Sequence, residues 1–265
     1  MNHRFIKNIK AFTLVELLIV ISVIGLLTAI LMPALSAARS QARSALCKSN
    51  LRQLILANLG YSTENDGALV LAARDIWNNS GLERWHGIRD SLDEPFDPLK
   101  GPLAGYLSDG RVKQCPQKVN FADGFEQGCG GYGYNMTYLG SRLWQGGLTF
   151  TQSYQRPTNI TEVLKPSLTL MFADCAISLQ NERYIEYSFA EPPFTVYNGE
   201  VLTDFYMSPS IHFRHRDTAH VGWADGHVDS RPMANFEPEN VYGIDSAAMQ
   251  LGWFEPIDNT LFDLK

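Results

Sequence analysis

Residues 12–31, "FTLVELLIVISVIGLLTAIL", form a 20-residue apolar run interrupted by one acid, Glu16, and otherwise only by small or hydroxyl residues. As a helix, such a run is about 30 Å long, the thickness of a bilayer's hydrocarbon core. It is too long for the apolar region of a cleaved secretory signal, and the chain beyond it reads as continuing helix rather than as an A-x-A-type cleavage site. A carboxylate near the start of a membrane helix is costly unless it finds a partner. Glu16 therefore asks for an explanation beyond simple anchoring.

The flanks of the run divide the chain. Residues 1–11 hold Arg4, Lys7 and Lys10 and no acid, which favours a cytoplasmic N-terminus. Basic residues from Arg39 onward flank the other end, so charge counting alone leaves the orientation open. Between Ala34 and Leu59 there is no Gly or Pro, and Ala, Leu, Arg and Gln dominate. These are good helix formers, and the apolar residues recur near helical spacing. The reading is a leader at 1–11, a transmembrane helix at 12–32, an amphipathic continuation at 33–60 and a globular domain at 61–265. Pro33 predicts a kink and Gly60 a stop.

The net charge of −6 conceals an asymmetry. Residues 1–60 carry seven Lys/Arg and one Glu, whereas 61–265 carry 15 Lys/Arg and 27 Asp/Glu. An acidic outer region argues against nucleic-acid binding, which needs a basic face. The cysteines at 47, 115, 129 and 175 show no CxxC spacing, so the usual zinc signature is absent. Cys115 and Cys129 could pair in an oxidising compartment; four separate buried thiols are the other reading.

The outer region carries strand signals at 167–174, 183–190 and 194–197. Asn198-Gly199 and Asp225-Gly226 have hairpin-turn chemistry, and the latter suits a type I′ turn. With the long helix, this predicts an α+β fold: an antiparallel sheet packed against the C-terminal half of the helix, with long loops. His212, His215, His220, Asp225, His227 and Asp229 crowd into 18 residues. His227 and Asp229 share a strand face and could meet His215 or Asp225. The structural reading is that Asp225 serves the turn, His227 and Asp229 face solvent, and His215 pins the preceding strand. Divalent ligation needs three or more converging groups, so neither a metal site nor a cofactor is expected. No nucleophile elbow, HExxH, P-loop or dinucleotide fingerprint occurs, and no catalytic residue is expected. The tryptophans (77, 85, 144, 223, 253) read as packing residues.

The segment "KAFTLVELLIVISVIGLLTAILMPAL" resembles the N-terminus of type IV pilins and of type II secretion pseudopilins. The resemblance implies cleavage between Ala11 and Phe12 by a prepilin peptidase, N-methylation of Phe12, and retention of Glu16 for assembly. Ala11 stands where the family usually has Gly. Pro33 falls where the family's helix kink lies. Further stretches resemble a long-chain branch of these proteins: "CKSNLRQLILAN" (47–58), "QCPQ" (114–117), "GYGYNMTYLG" (131–140) and "KPSLTLMFADC" (165–175). An H-x9-D-G tail formed by His215, Asp225 and Gly226 completes the set. The resemblance assigns that tail no role. It implies a single-pass subunit of the bacterial inner membrane, its C-terminal domain outside, partnered by the peptidase/methyltransferase and by other pilin subunits. The alternatives are a membrane-anchored binding protein that does not polymerise, or a tethered metal-dependent hydrolase.

Overall fold

The computed structural model describes residues 13–76, 81–117, 119–179, 183–235 and 243–265. The expected leader at residues 1–11, the Ala11–Phe12 bond and Trp77 lie outside the described residues. One helix, Leu14–Glu64, contains Pro33 and continues past Gly60. A mid-helix glycine costs about 1 kcal/mol relative to Ala, and here it lets a ring approach closely. A Cβ at Gly60 would lie 3.1 Å from Cδ1 of Tyr106.

The chain forms two compact units, divided between Ala42 and Arg43. In the first, the side chains of residues 14–39 are all exposed, from Leu14 (81%) to Leu31 (62%) and beyond. This is the one described helix long and apolar enough to cross a membrane. Two of its hydroxyls are satisfied within the helix. Ser22 Oγ donates to Leu18 O at 2.7 Å and Thr28 Oγ1 to Ile24 O at 2.5 Å, as an apolar surrounding requires.

In the second unit, the rest of the helix belongs to the core. Cys47, Leu51, Leu54, Ile55, Asn58 and Ser62 are buried, a stripe at the three-and-four spacing of one helix face. The central sheet is antiparallel and four-stranded, in the order Val228–Pro232, Thr218–Trp223, Leu170–Asp174, Tyr132–Tyr134. The α+β architecture matches the sequence expectation. Leu170–Asp174 is buried along its whole length, which explains why "LMFAD" lacks the alternation of a half-exposed strand. Helix and sheet meet closely where Ile55 overlies Gly222: a Cβ there would come within 2.5 Å of Ile55 Cδ1. Elsewhere in the core, Phe172 stacks on Tyr134 with centroids 4.8 Å apart and meets Trp85 edge-on at 5.1 Å. Trp85, Trp223 and Trp253 are fully buried, as packing residues should be.

Two details differ from the sequence reading. Phe121–Ala122 and Arg183–Ile185 pair in parallel, in a sheet region expected to be antiparallel. The Asp225-Gly226 turn is not type I′. Only Gly226 has a positive φ there (97°), Gly226 N–H donates to Trp223 O at 3.0 Å, and Trp223 N–H donates to His227 O at 3.0 Å. That is the type I turn plus left-handed glycine of a bulged hairpin. In the tail stretch, the turn with both central residues left-handed is instead Arg216-Asp217 (φ 55° and 61°). It is closed by reciprocal bonds between His215 and Thr218 of 2.9 and 3.3 Å.

Candidate functional site

Two regions carry chemistry. The first is the start of the long helix. Thr13 precedes the first helical residue, and Glu16 sits three residues on. Glu16 Oε2 accepts from Thr13 N–H at 2.9 Å and from Thr13 Oγ1–H at 2.8 Å, while Thr13 Oγ1 accepts from Glu16 N–H at 3.2 Å. This is a reciprocal capping box. Thr-x-x-Glu was legible in the sequence as such, and it gives Glu16 a local partner. The carboxylate also faces the positive end of the helix dipole.

The second region is a buried polar cluster in the globular unit. Asp174 ends the central strand Leu170–Asp174 with no exposure. Its Oδ1 accepts from Arg214 Nη2 at 2.7 Å and lies 3.2 Å from Cys47 Sγ. Its Oδ2 accepts from the His220 backbone N–H at 2.8 Å and lies 3.4 Å from His215 Nε2. Cys115 Sγ is 3.3 Å from Cys47 Sγ and 3.4 Å from His215 Nε2. Tyr132 Oη donates to Cys47 Sγ at 3.3 Å. Arg214 Nη2 also donates to Gly131 O. His220 stacks on His215 with centroids 4.0 Å apart, and its two ring nitrogens face Ser44 Oγ and Ser230 Oγ, each at 2.9 Å. Ligand atoms of Cys47, Asp174, His215 and His220 all lie within 4.8 Å of one another, so these residues have the composition and convergence of a metal-binding group.

The electrostatics follow from burial and pairing. Burial alone would raise the Asp174 carboxyl, but Arg214, His215 and His220 outweigh it and hold the group below its ordinary range. Burial pushes the Cys47 thiol up. Cys115 goes the other way, because its contact with the Cys47 thiol and the neighbouring Arg214 and His215 favour the thiolate. Burial lowers His220 to about 4 and His212 to about 3, so both are neutral at pH 7.

The structure redistributes the residues singled out from sequence. His215 lies inside this cluster, whereas Asp225 and His227 form their own partly exposed pair, Oδ1 to Nδ1 at 2.6 Å. Asp225 also accepts from His227 N–H at 3.1 Å, and Asp229 accepts from the Trp223 indole at 3.0 Å. The imagined His215/Asp225/His227/Asp229 site is therefore not formed. The pairing of Cys115 with Cys129 is not seen either. All four cysteines are free thiols, and Cys115 neighbours Cys47 instead. Cys129 lies 4.0 Å from Glu186 Oε2. Cys47 and Asp174 had no assigned role in the sequence reading. The available signal was that Cys47, Cys115, Asp174 and His215 each fall in a different one of the stretches quoted above.

Comparison with known proteins bears on the first region. Residues 6–32 match the family model described as a prokaryotic N-terminal methylation motif. Among curated proteins, the type IV wide pilus major component PilA4 of Thermus thermophilus is 40% identical over 60 residues. That match covers 23% of this chain and 46% of the relative, so the chain spans about half the length of the curated protein it matches. No solved structure matches the chain. With the methylation segment, the exposed apolar helix and the α+β domain together, the chain is type IV pilin- or pseudopilin-like.

Proposed function

We propose that this chain is a structural, non-enzymatic subunit of a type IV pilus or a related type II secretion pseudopilus. The observation that carries the reading is the helix start: an exposed apolar helix of membrane-spanning length with Glu16 in its first turn, inside the matched methylation segment. The named relative is a pilus component, which favours the pilus over the secretion apparatus. In this reading a prepilin peptidase cuts between Ala11 and Phe12 on the cytoplasmic side, and the new Phe12 amine is methylated. The chain stays in the inner membrane as a single span, its globular domain outside, until it joins other subunits. Pro33, which lacks the N–H for one helix bond, bends the helix.

Glu16 acquires its purpose through cleavage. The exposed face of residues 14–35 is far larger than a soluble monomer tolerates, so lipid covers it before assembly and neighbouring helices afterwards. Thr13 holds the carboxylate at the helix start in the free chain. On assembly the Phe12 amine of a neighbouring subunit replaces that local bond with an ion pair, offsetting the burial of both charges and setting axial register. Glu16→Ala is therefore expected to abolish recovery of the protein in sheared filaments while leaving its membrane level near wild type. Undiminished filament incorporation of Glu16→Ala would refute this role.

A further inference from the structure

The buried cluster is not explained by pilus assembly, and it is independent of that reading. Five stretches that the sequence singled out without a role meet there: Cys47 from the helix, Cys115 from "QCPQ", Tyr132 from "GYGYNMTYLG", Asp174 from the central strand and His215 from the tail motif. Four of them form a closed ring of donors. The edges are 3.3 Å from Cys47 to Cys115, 3.4 Å from Cys115 to His215, 3.4 Å from His215 to Asp174, and 3.2 Å from Asp174 to Cys47. In a tetrahedral zinc site with ligands at about 2.0–2.3 Å, the ligand–ligand edges are about 3.3–3.8 Å. The four edges, 3.2–3.4 Å, lie at or just below the short end of that range.

We propose that Cys47, Cys115, Asp174 and His215 bind one divalent ion of the zinc class in a closed structural site. The donor set of two sulfurs, one imidazole nitrogen and one carboxylate oxygen suits that ion. Charge balances in the buried setting. Two thiolates and the Asp174 carboxylate, three negative charges, face a divalent cation and the Arg214 guanidinium. Binding exchanges two thiol protons, one from each cysteine, for the ion. The surroundings act as supports: Arg214 and the His220 N–H hold the carboxylate, Tyr132 donates to Cys47, and His220 stacks on His215. His220 is not a ligand, because both its ring nitrogens are engaged by serines. All four positions are filled by protein and none of the ligands is more than 7% exposed, so the site has no open position for catalysis. The ion ties the helix to three separate elements of the globular unit, which suits a subunit under load.

The test uses the full chain purified in detergent without chelator. Elemental analysis is expected to give about one zinc per chain, and cobalt(II) replacement to give the thiolate charge-transfer and d–d bands of a tetrahedral S₂ site. Cys115→Ser and His215→Ala are expected to lose most of the metal, while Asp225→Ala and His227→Ala retain it in full. If the variants fail to fold, the wild-type measurements decide. A folded wild-type chain without stoichiometric metal overturns the proposal. So does a denatured mass two hydrogens low, with peptide mapping that joins Cys47 to Cys115 as a disulfide.

Discussion

At the scale of single residues, the globular unit keeps several ionisable groups away from water, and their partners decide their behaviour. Glu191 is buried, and its only polar side-chain contact among the described residues is the Tyr187 hydroxyl at 2.9 Å. Burial raises its carboxyl to about 7. Because the folded value lies above the unfolded one, the folded chain holds the extra proton between about pH 4.5 and 7. Its stabilising effect is complete below that window and is lost as pH rises through 7. Glu191→Gln, a neutral copy, removes this loss. Denaturant unfolding from pH 5 to 8 is expected to show wild type falling relative to the variant by on the order of 2–3 kcal/mol; parallel curves would contradict the assignment. A second buried carboxylate works by pairing. Glu126 receives Arg84 through Nε and Nη2 at 2.8–3.0 Å, both side chains nearly inaccessible. Glu126→Ala strands a buried guanidinium, with Asp75 at 3.7 Å as partial relief. It is expected to cost about 3 kcal/mol, read as a lower urea midpoint at unchanged slope. Little of this was legible in the chain. Glu16 stood out because one acid in an apolar run violates a composition rule. Cys47, Asp174 and His215 are separated by 127 and 41 positions, and only the fold brings them together.

At the scale of elements, the legible features were those whose physics is local. The long exposed helix follows from an apolar run of bilayer length. The Asn198-Gly199 turn follows from two residues that accept left-handed backbone, and both do so (φ 49° and 82°). Arg216-Asp217 makes the same kind of turn with no glycine, so no local signal announced it. Closing that turn aims His215 inward, and this explains why the tail histidine parts company with Asp225. That the C-terminal half of the helix packs on the sheet was legible; which residues meet was not, because the close approach depends on glycines chosen for what faces them. At Gly222 a Cβ meets the end of the Ile55 side chain, whereas at Gly133 it meets the Phe189 backbone carbonyl at 2.6 and 2.7 Å. Gly222→Ala is expected to cost about 1–3 kcal/mol and to be partly rescued by Ile55→Val, a coupling that a double-mutant cycle measures. Gly133→Ala is expected to cost at least as much and to show no rescue by Cys175→Ala, because the backbone cannot yield. Equal rescue at both positions would contradict this picture of the sheet.

At the scale of the whole molecule, one helix, Leu14–Glu64, has exposed and largely apolar side chains over residues 14–39 and contributes core residues from Cys47 onward. Such an apolar surface is unfavourable in water and favourable in lipid or against other helices. That requirement, the methylation segment and the similarity to a pilus component support the proposed role in assembly. The central claim is that the mature chain begins at Phe12. The most direct test is mass spectrometry of the N-terminal peptide of native protein recovered from cells. The account predicts a peptide that starts at Phe12 with one added methyl group on its amine. A peptide that begins at Met1 or Asn2, or an unmethylated end elsewhere in residues 1–32, would contradict it.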